Sequence, residues 1–142
     1  TRRLRTSEER FQLAVSGSNE AIWDWDLHSD RLYLSPRYAE LVGSSEAELP
    51  AMFATWRTTI HPEDQAKVSN AINVHIHHGQ TFHCEFRVAM RDGGWRWMLG
   101  RGTVLRDAGG APVRMVGSFA DHSDQKATQV QLERHRRGRG AA

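Results

Sequence analysis

Asp92-Gly-Gly-Trp-Arg-Trp-Met-Leu-Gly-Arg-Gly102, followed after a turn by Gly117-Ser-Phe-Ala-Asp-His-Ser-Asp-Gln-Lys126, decides how the chain is read. Asp92-Gly93-Gly94 and Asp107-Ala-Gly-Gly110 are turn sequences, because glycine takes the backbone conformations of tight turns without steric cost. They delimit strands over Trp95–Arg106 and Val113–Ala120. Upstream, Thr81–Arg91 alternates cleanly. Phe82, Cys84, Phe86, Val88 and Met90 share one side, and Thr81, His83, Glu85, Arg87 and Ala89 share the other, the period of a half-buried strand. The pattern predicts a three-stranded meander that runs into a helix from Ser123 to about residue 136.

Further upstream, His61-Pro62-Glu63-Asp64 opens the clearest helix. Proline suits the first helical position and acids in the first turn complement the dipole. Val68, Ala71, Ile72, His75 and Ile76 line one face, and Gly79 ends it. Residues 45–59 read as short helices around Pro50. Pro36 to Val42 is a short helix closed by Gly43. Ahead of it, Ala21–Leu27 places Trp23, Trp25 and Leu27 on one side and Asp24 and Asp26 on the other. Ser29-Asp30 turns the chain into a second strand, Arg31–Ser35, giving a hairpin. Residues 4–16 read as a further helix carrying Leu4, Phe11, Ala14 and Val15. Helices inserted between the second and third of five antiparallel strands define an α+β fold.

With 142 residues, 39% hydrophobic content, five Trp and five Phe, the chain has material for one well-packed domain. Its expected parts are an N-terminal helix and linker over 1–19, a core over 20–123, and a C-terminal helix with a basic tail over 124–142. It begins at Thr1, which predicts a piece of a longer protein. No apolar run is long enough to cross a bilayer, and no signal peptide is evident. The basic pI of about 9.1 comes from the ends. Without Arg2, Arg3, Arg5, Arg134, Arg136, Arg137 and Arg139, 12 basic residues face 17 acidic ones, a body of about −5. A solvated helix end explains those arginines better than a nucleic-acid partner does. The single cysteine, Cys84, excludes an internal disulfide and a Cys-rich zinc site, and is compatible with the cytoplasm.

The chain resembles a PAS domain of the kind found in bacterial histidine kinases and cyclic-di-GMP signalling proteins. Ile22-Trp-Asp-Trp-Asp26 is similar to the opening strand of that family, and Ser35-Pro-Arg-Tyr-Ala-Glu-Leu-Val-Gly43 to its first inserted helix. His61-Pro-Glu-Asp64 is similar to the start of its long helix. Glu85-Phe-Arg87, Arg91-Asp92-Gly93 and Trp97 are similar to the C-terminal segment called PAC. Gly117 to Ser123 resembles its G-x-x-x-D-x-[ST] ending, with His122 where the family favours an apolar residue. The resemblance implies a sheet of order 2-1-5-4-3 flanked by N- and C-terminal helices. It also implies a non-catalytic sensory module that binds a small ligand or partner and relays the change to an output domain. A ligand-free dimerisation scaffold and a haem-based gas or redox sensor are the competing readings, and a homodimer through the flanking helices or a sheet face is expected.

Ligand-pocket residues are expected to include Trp25, Ile72, His75, Phe86 and Trp97. Arg101, Gly117, Asp121 and Ser123 are the expected transmission set, with Arg101 paired to Asp121 and the Asp and Ser side chains capping the output helix. In haem-binding relatives a histidine of the long helix ligates iron, which makes His75 the haem candidate. A locally hydrogen-bonded histidine is the simpler reading. Light-sensing relatives carry Asn-Cys-Arg-Phe-Leu-Gln on a helix. Cys84 lies instead mid-strand as a small hydrophobe, so flavin is not expected. No residues show metal-ligand spacing. Asp24 and Asp26 read as a solvated strand face rather than an acid–base pair, and no nucleophile or phosphate-loop motif is present.

Overall fold

The computed structural model of the chain describes residues 19–123. The expected N-terminal helix, output helix and basic tail lie outside the described residues. In chain order the elements are β1 (Ala21–Asp26), β2 (Leu32–Leu34), α1 (Pro36–Val42), a 3-10 turn (Glu46–Glu48), α2 (Phe53–Arg57), α3 (Pro62–His78), β3 (Phe82–Ala89), β4 (Trp95–Arg106) and β5 (Pro112–Asp121). The five strands form one antiparallel sheet of order β2-β1-β5-β4-β3. The first and last strands of the chain's two β blocks thus become neighbours at the centre. Gly43 and Gly79 end α1 and α3 with left-handed φ of 74° and 70°, where a side chain would be strained.

The period-2 pattern sorts the sheet into two faces. Trp23, Leu32, Leu34, Phe82, Cys84, Phe86, Val88, Met98, Met115 and Phe119 are buried beneath the helices, together with Tyr38, Leu41, Trp56, Ile60 and Val68. The opposite face carries Asp24, Tyr33, Glu85, Arg87, Trp95, Trp97, Arg101 and Arg114. Asp24 pairs with Arg114 across β1 and β5, and Asp26 accepts the N–H groups of His28 and Ser29 in the hairpin turn. Those two turn N–H groups hold the Asp26 carboxyl below its usual value.

β3 is an edge strand, and the approach to α3 covers its C-terminal half. Ala89 donates to Thr59 O and His61 donates to Arg87 O, both at 2.8 Å, around an Ile60–Val88 bridge. His61 then caps α3, its Nδ1 accepting the N–H of Glu63 at 3.1 Å. The next free edge donor, the N–H of Arg87, goes to the Asp64 carboxylate at 2.9 Å.

Candidate functional site

The glycines of the PAC-like stretch seat an indole. Trp23 on β1 lies opposite Gly117 on β5, which lies opposite Gly102 on β4. A Cβ at Gly102 would fall 2.4 Å from the Trp23 ring, and one at Gly117 2.7 Å from it. The bare backbone therefore lets the indole lie flat across two strands and donate from Nε1 to Ser118 O at 3.1 Å. Phe119 stacks on Trp23 and also on Trp56, whose Nε1 donates to the Tyr38 hydroxyl at 2.8 Å. Burial pushes the Tyr38 phenol up to about 12, so it stays neutral.

Little space remains around Trp23 and Trp25 on the inner face of the sheet, and the larger hollow of about 220 Å³ lies apart from it, between Tyr38, Leu49, Pro50 and Met90. The cavity beside the two indoles holds about 20 Å³ and is lined by apolar residues that include Trp23, Trp25, Phe53, Ile72, Phe82 and Phe119. Ligand pockets ordinarily span roughly 300–1,000 Å³. Trp25 stacks on Phe53 at 3.9 Å between centroids, and its Nε1 donates to Asp30 at 3.0 Å. Asp30 also accepts the N–H of Ala54, tying the hairpin turn to α2.

Of the expected pocket residues, Trp25 and Ile72 line this cavity. Phe86 lies deeper, fully buried with its edge against Trp56 and Phe119. Trp97 lies on the far face of the sheet, because it pairs with Arg87, one residue out of phase with Phe86 and Met98. There it receives the Arg87 guanidinium at 5.0 Å and the Lys67 ammonium at 5.8 Å from its ring centre. His75 is buried but faces the backbone of β4: its Nε2 accepts the N–H of Val104 at 3.0 Å and its Nδ1 lies 2.6 Å from Gln80 O. A haem does not fit these residues: both His75 nitrogens are engaged and the cavity is more than tenfold too small. Burial raises the Cys84 thiol, in line with a packing role. No cluster of three or more metal-ligating side chains occurs among the described residues.

The Asp64 carboxylate joins two of the motifs quoted from the sequence, the start of α3 and the middle of β3. It receives Arg87 Nε and Nη2 at 2.9 Å each in a bidentate pair, beside the Arg87 N–H, and Glu63 adds a contact at 3.2 Å. The Arg87 hydrogen bonds hold Asp64 below the usual carboxylate range and keep Arg87 more firmly protonated. His61-Pro-Glu-Asp64 and Glu85-Phe-Arg87 thus form one site that fastens α3 to β3.

The expected Arg101–Asp121 pair is not formed. Met98, not Arg101, lies opposite Asp121, and Arg101 lies opposite Ser118. Three residues is an odd offset, so Arg101 projects from the outer face while Asp121 shares the inner side with Arg96. Arg96, two residues before Met98, reaches Asp121 diagonally at 2.5 Å. The other carboxylate oxygen of Asp121 accepts the N–H of Ser123 at 3.0 Å. Burial pulls the Asp121 carboxyl up, but Ser123 and Arg96 together outweigh it, and the net shift is downward. His122 donates its backbone N–H to Trp97 O and sets its Nε2 3.2 Å from Glu85. The sequence motifs include Trp23, Asp64 and Glu85 but assign them, like Arg96, no role in the site. The recurrence of glycine at 100, 102 and 117 was the available signal for a large ring packed against the sheet.

A sequence profile of the PAS fold matches residues 31–119, and the chain belongs to that family. It is similar to a sensory box histidine kinase/response regulator from Burkholderia thailandensis, 38% identical, with a TM-score of 0.83 over 94% of this chain and 99% of that one. It is also similar to the N-terminal domain of a diguanylate cyclase with PAS/PAC sensor from Marinobacter aquaeolei, 25% identical, with a TM-score of 0.68 over 75% of this chain and 98% of that one. Sensor protein FixL of Bradyrhizobium diazoefficiens is 28% identical over 87% of this chain, which spans 24% of that protein. The chain is thus a PAS sensor domain of the type carried by signalling proteins, a fraction of the length of the curated relatives it matches. No helix among the described residues is long and apolar enough to cross a membrane.

Proposed function

We propose that this chain is the sensory module of a larger cytoplasmic signalling protein and works without a large prosthetic group, passing changes in its packing to the segment after Ser123. The observation that carries this reading is Asp121. One oxygen is held by Arg96 on β4 and the other by the backbone of Ser123, so this carboxylate bridges the sheet and its exit, beside the contacts of His122 with Trp97 O and Glu85. Arg96 Nε is buried with no hydrogen-bond partner among the described residues. An unmet buried donor of that kind lowers the difference between this arrangement and an alternative one. The input is a small apolar ligand that parts the Trp25–Phe53 stack, or a partner acting on the outer face. The test is the output rate of the parent protein. Arg96→Ala and Asp121→Ala each uncouple output from signal, and the double variant does no more than either alone. Output that still follows the signal in both single variants refutes the relay.

A ligand-free dimerisation module is the second reading. It is favoured by Tyr33, Trp95 and Leu105, which stand 52%, 47% and 41% exposed on the outer sheet face. Sedimentation equilibrium separates the two. A tight dimer broken by Tyr33→Glu, with no thermal response to a panel of small apolar metabolites, supports scaffolding.

A further inference from the structure

β4 is longer than its neighbour. β3 begins at Phe82, opposite Gly102, while β4 continues to Arg106. Beyond that point the β3 side of β4 has no strand to receive its N–H groups. His75, in the last turn of α3, takes the place of the missing strand by accepting the N–H of Val104 on Nε2. A backbone N–H can only donate, so Nε2 carries a lone pair. The proton of the neutral ring is then on Nδ1, which donates to Gln80 O just past the helix end. One tautomer satisfies both contacts, and the imidazolium satisfies only one. A second proton on Nε2 would place N–H against N–H.

We propose that His75 is a proton-operated staple between α3 and the sheet. When neutral, it fastens the end of the helix to β4. When protonated, it releases Val104 and lets that end of the helix part from the strand. Ile72, one turn earlier, and Phe82, at the start of β3, both line the apolar cavity, and the His75 ring packs 6.5 Å from Phe82. Release of the staple therefore loosens one wall of the cavity. The surroundings offer the imidazolium no counter-charge. From β4 the facing group is the Arg106 guanidinium, which donates to Ile76 O and Gly110 O. On β3 the titratable groups that directly follow Phe82 are His83, exposed on the outer side, and Cys84, buried on the inner one. On α3 itself, His77 and His78 are exposed. No carboxylate among the described residues pairs with the ring. The staple depends on no property of the exit at Asp121, so it stands or falls separately from the relay.

The test is nuclear magnetic resonance on the labelled chain between about pH 7.5 and about pH 5, the range in which histidines change charge. At the upper pH the His75 imidazole is the Nδ1–H tautomer. As it protonates, exchange protection of the Val104 amide, corrected for intrinsic rate, drops roughly threefold to tenfold, the loss of one ordinary hydrogen bond. Amides of the β1–β5 ladder keep their protection. His75→Gln retains an acceptor without a titration, and in that variant Val104 protection is flat with pH. An Nε2–H tautomer at pH 7.5, a ring that stays neutral down to about pH 5, or Val104 protection unmoved while the ring protonates, overturns the proposal. So does an identical pH response in His75→Gln. If that variant does not fold, the wild-type tautomer and Val104 titration decide the matter alone.

Discussion

The indole seat can be tested by adding a single methyl group at three neighbouring glycines. A Cβ at Gly117 would lie 1.9 Å from Arg101 O and 2.7 Å from the Trp23 ring. At Gly102 it would lie 2.4 and 2.6 Å from that ring and 2.7 Å from Val116 O. At Gly100 it meets only ring edges, Phe86 at 3.0 Å and Phe82 and Phe119 at 3.4 Å. Overpacking costs about 1–3 kcal/mol. The backbone clash places Gly117→Ala at the upper end, and loss of the Trp23–Ser118 hydrogen bond adds about 1 kcal/mol. All three alanines recover about 0.4–1 kcal/mol through the less flexible unfolded chain. The expected net losses are about 3 kcal/mol for Gly117→Ala, about 2 for Gly102→Ala and under about 1 for Gly100→Ala. Urea unfolding followed by far-ultraviolet circular dichroism measures them, with midpoints lowered by about 1–2 M for the first two. Trp23→Leu partly relieves Gly102→Ala but not Gly117→Ala, whose nearest obstacle is backbone. Gly117→Ala within about 0.5 kcal/mol of wild type would falsify the seat, as would Gly100→Ala proving equally damaging.

Asp64→Asn destabilises the chain by about 2 kcal/mol near neutral pH, because it removes the charge facing a partly buried Arg87. The Asp64 carboxyl is depressed in the fold, so its stabilisation is complete above about pH 4 and is lost as pH falls through the lowered folded value. The gap between wild type and variant is therefore flat from about pH 5 to 7 and closes in stronger acid, as denaturant titrations at each pH will show. A double-mutant cycle on Arg96 and Asp121 gives a coupling of about 0.5–1 kcal/mol, modest because both side chains are partly solvated, and the Arg101–Asp121 cycle gives none. Cys84, buried with its thiol raised, reacts with a thiol reagent only at the rate of unfolding. Rapid modification of the folded chain would contradict its placement.

Elements that depend on local chemistry were legible from sequence. Pro36 and Gly43 bound α1 as expected, and His61-Pro62 and Gly79 bound α3, because caps and dipoles act within a turn or two of the residues that encode them. The alternation of Phe82, Cys84, Phe86 and Val88 gave the inner face of β3 correctly, since period 2 needs no partner strand to be read. Strand ends moved by a residue or two: β2 is Leu32–Leu34 rather than Arg31–Ser35, and β5 extends to Asp121. The strand order followed from family resemblance, not from pattern. Contacts across strands were not legible, because they depend on register. Placing Arg96 rather than Arg101 beside Asp121 needs the Met98–Asp121 alignment, which no local rule supplies. The site was harder for the same reason. That His75 faces inward follows from helical spacing, but that it meets the backbone of Val104 depends on where β3 stops.

The short strand β2 and the partly covered strand β3 have a consequence for how such modules are strung together. In the relatives this unit is a minor fraction of the length, tethered to further chain at high local concentration. Open strand borders under those conditions would invite one unit to zip onto the next. On one side that border is three residues long, with Leu32 N–H donating to Ala51 O. On the other its Arg87–Ala89 end is occupied by Thr59, His61 and Asp64. The short β2 border and the covered end of β3 shorten the run that a foreign chain could pair with, which favours copies that stand beside their neighbours without merging into their sheets.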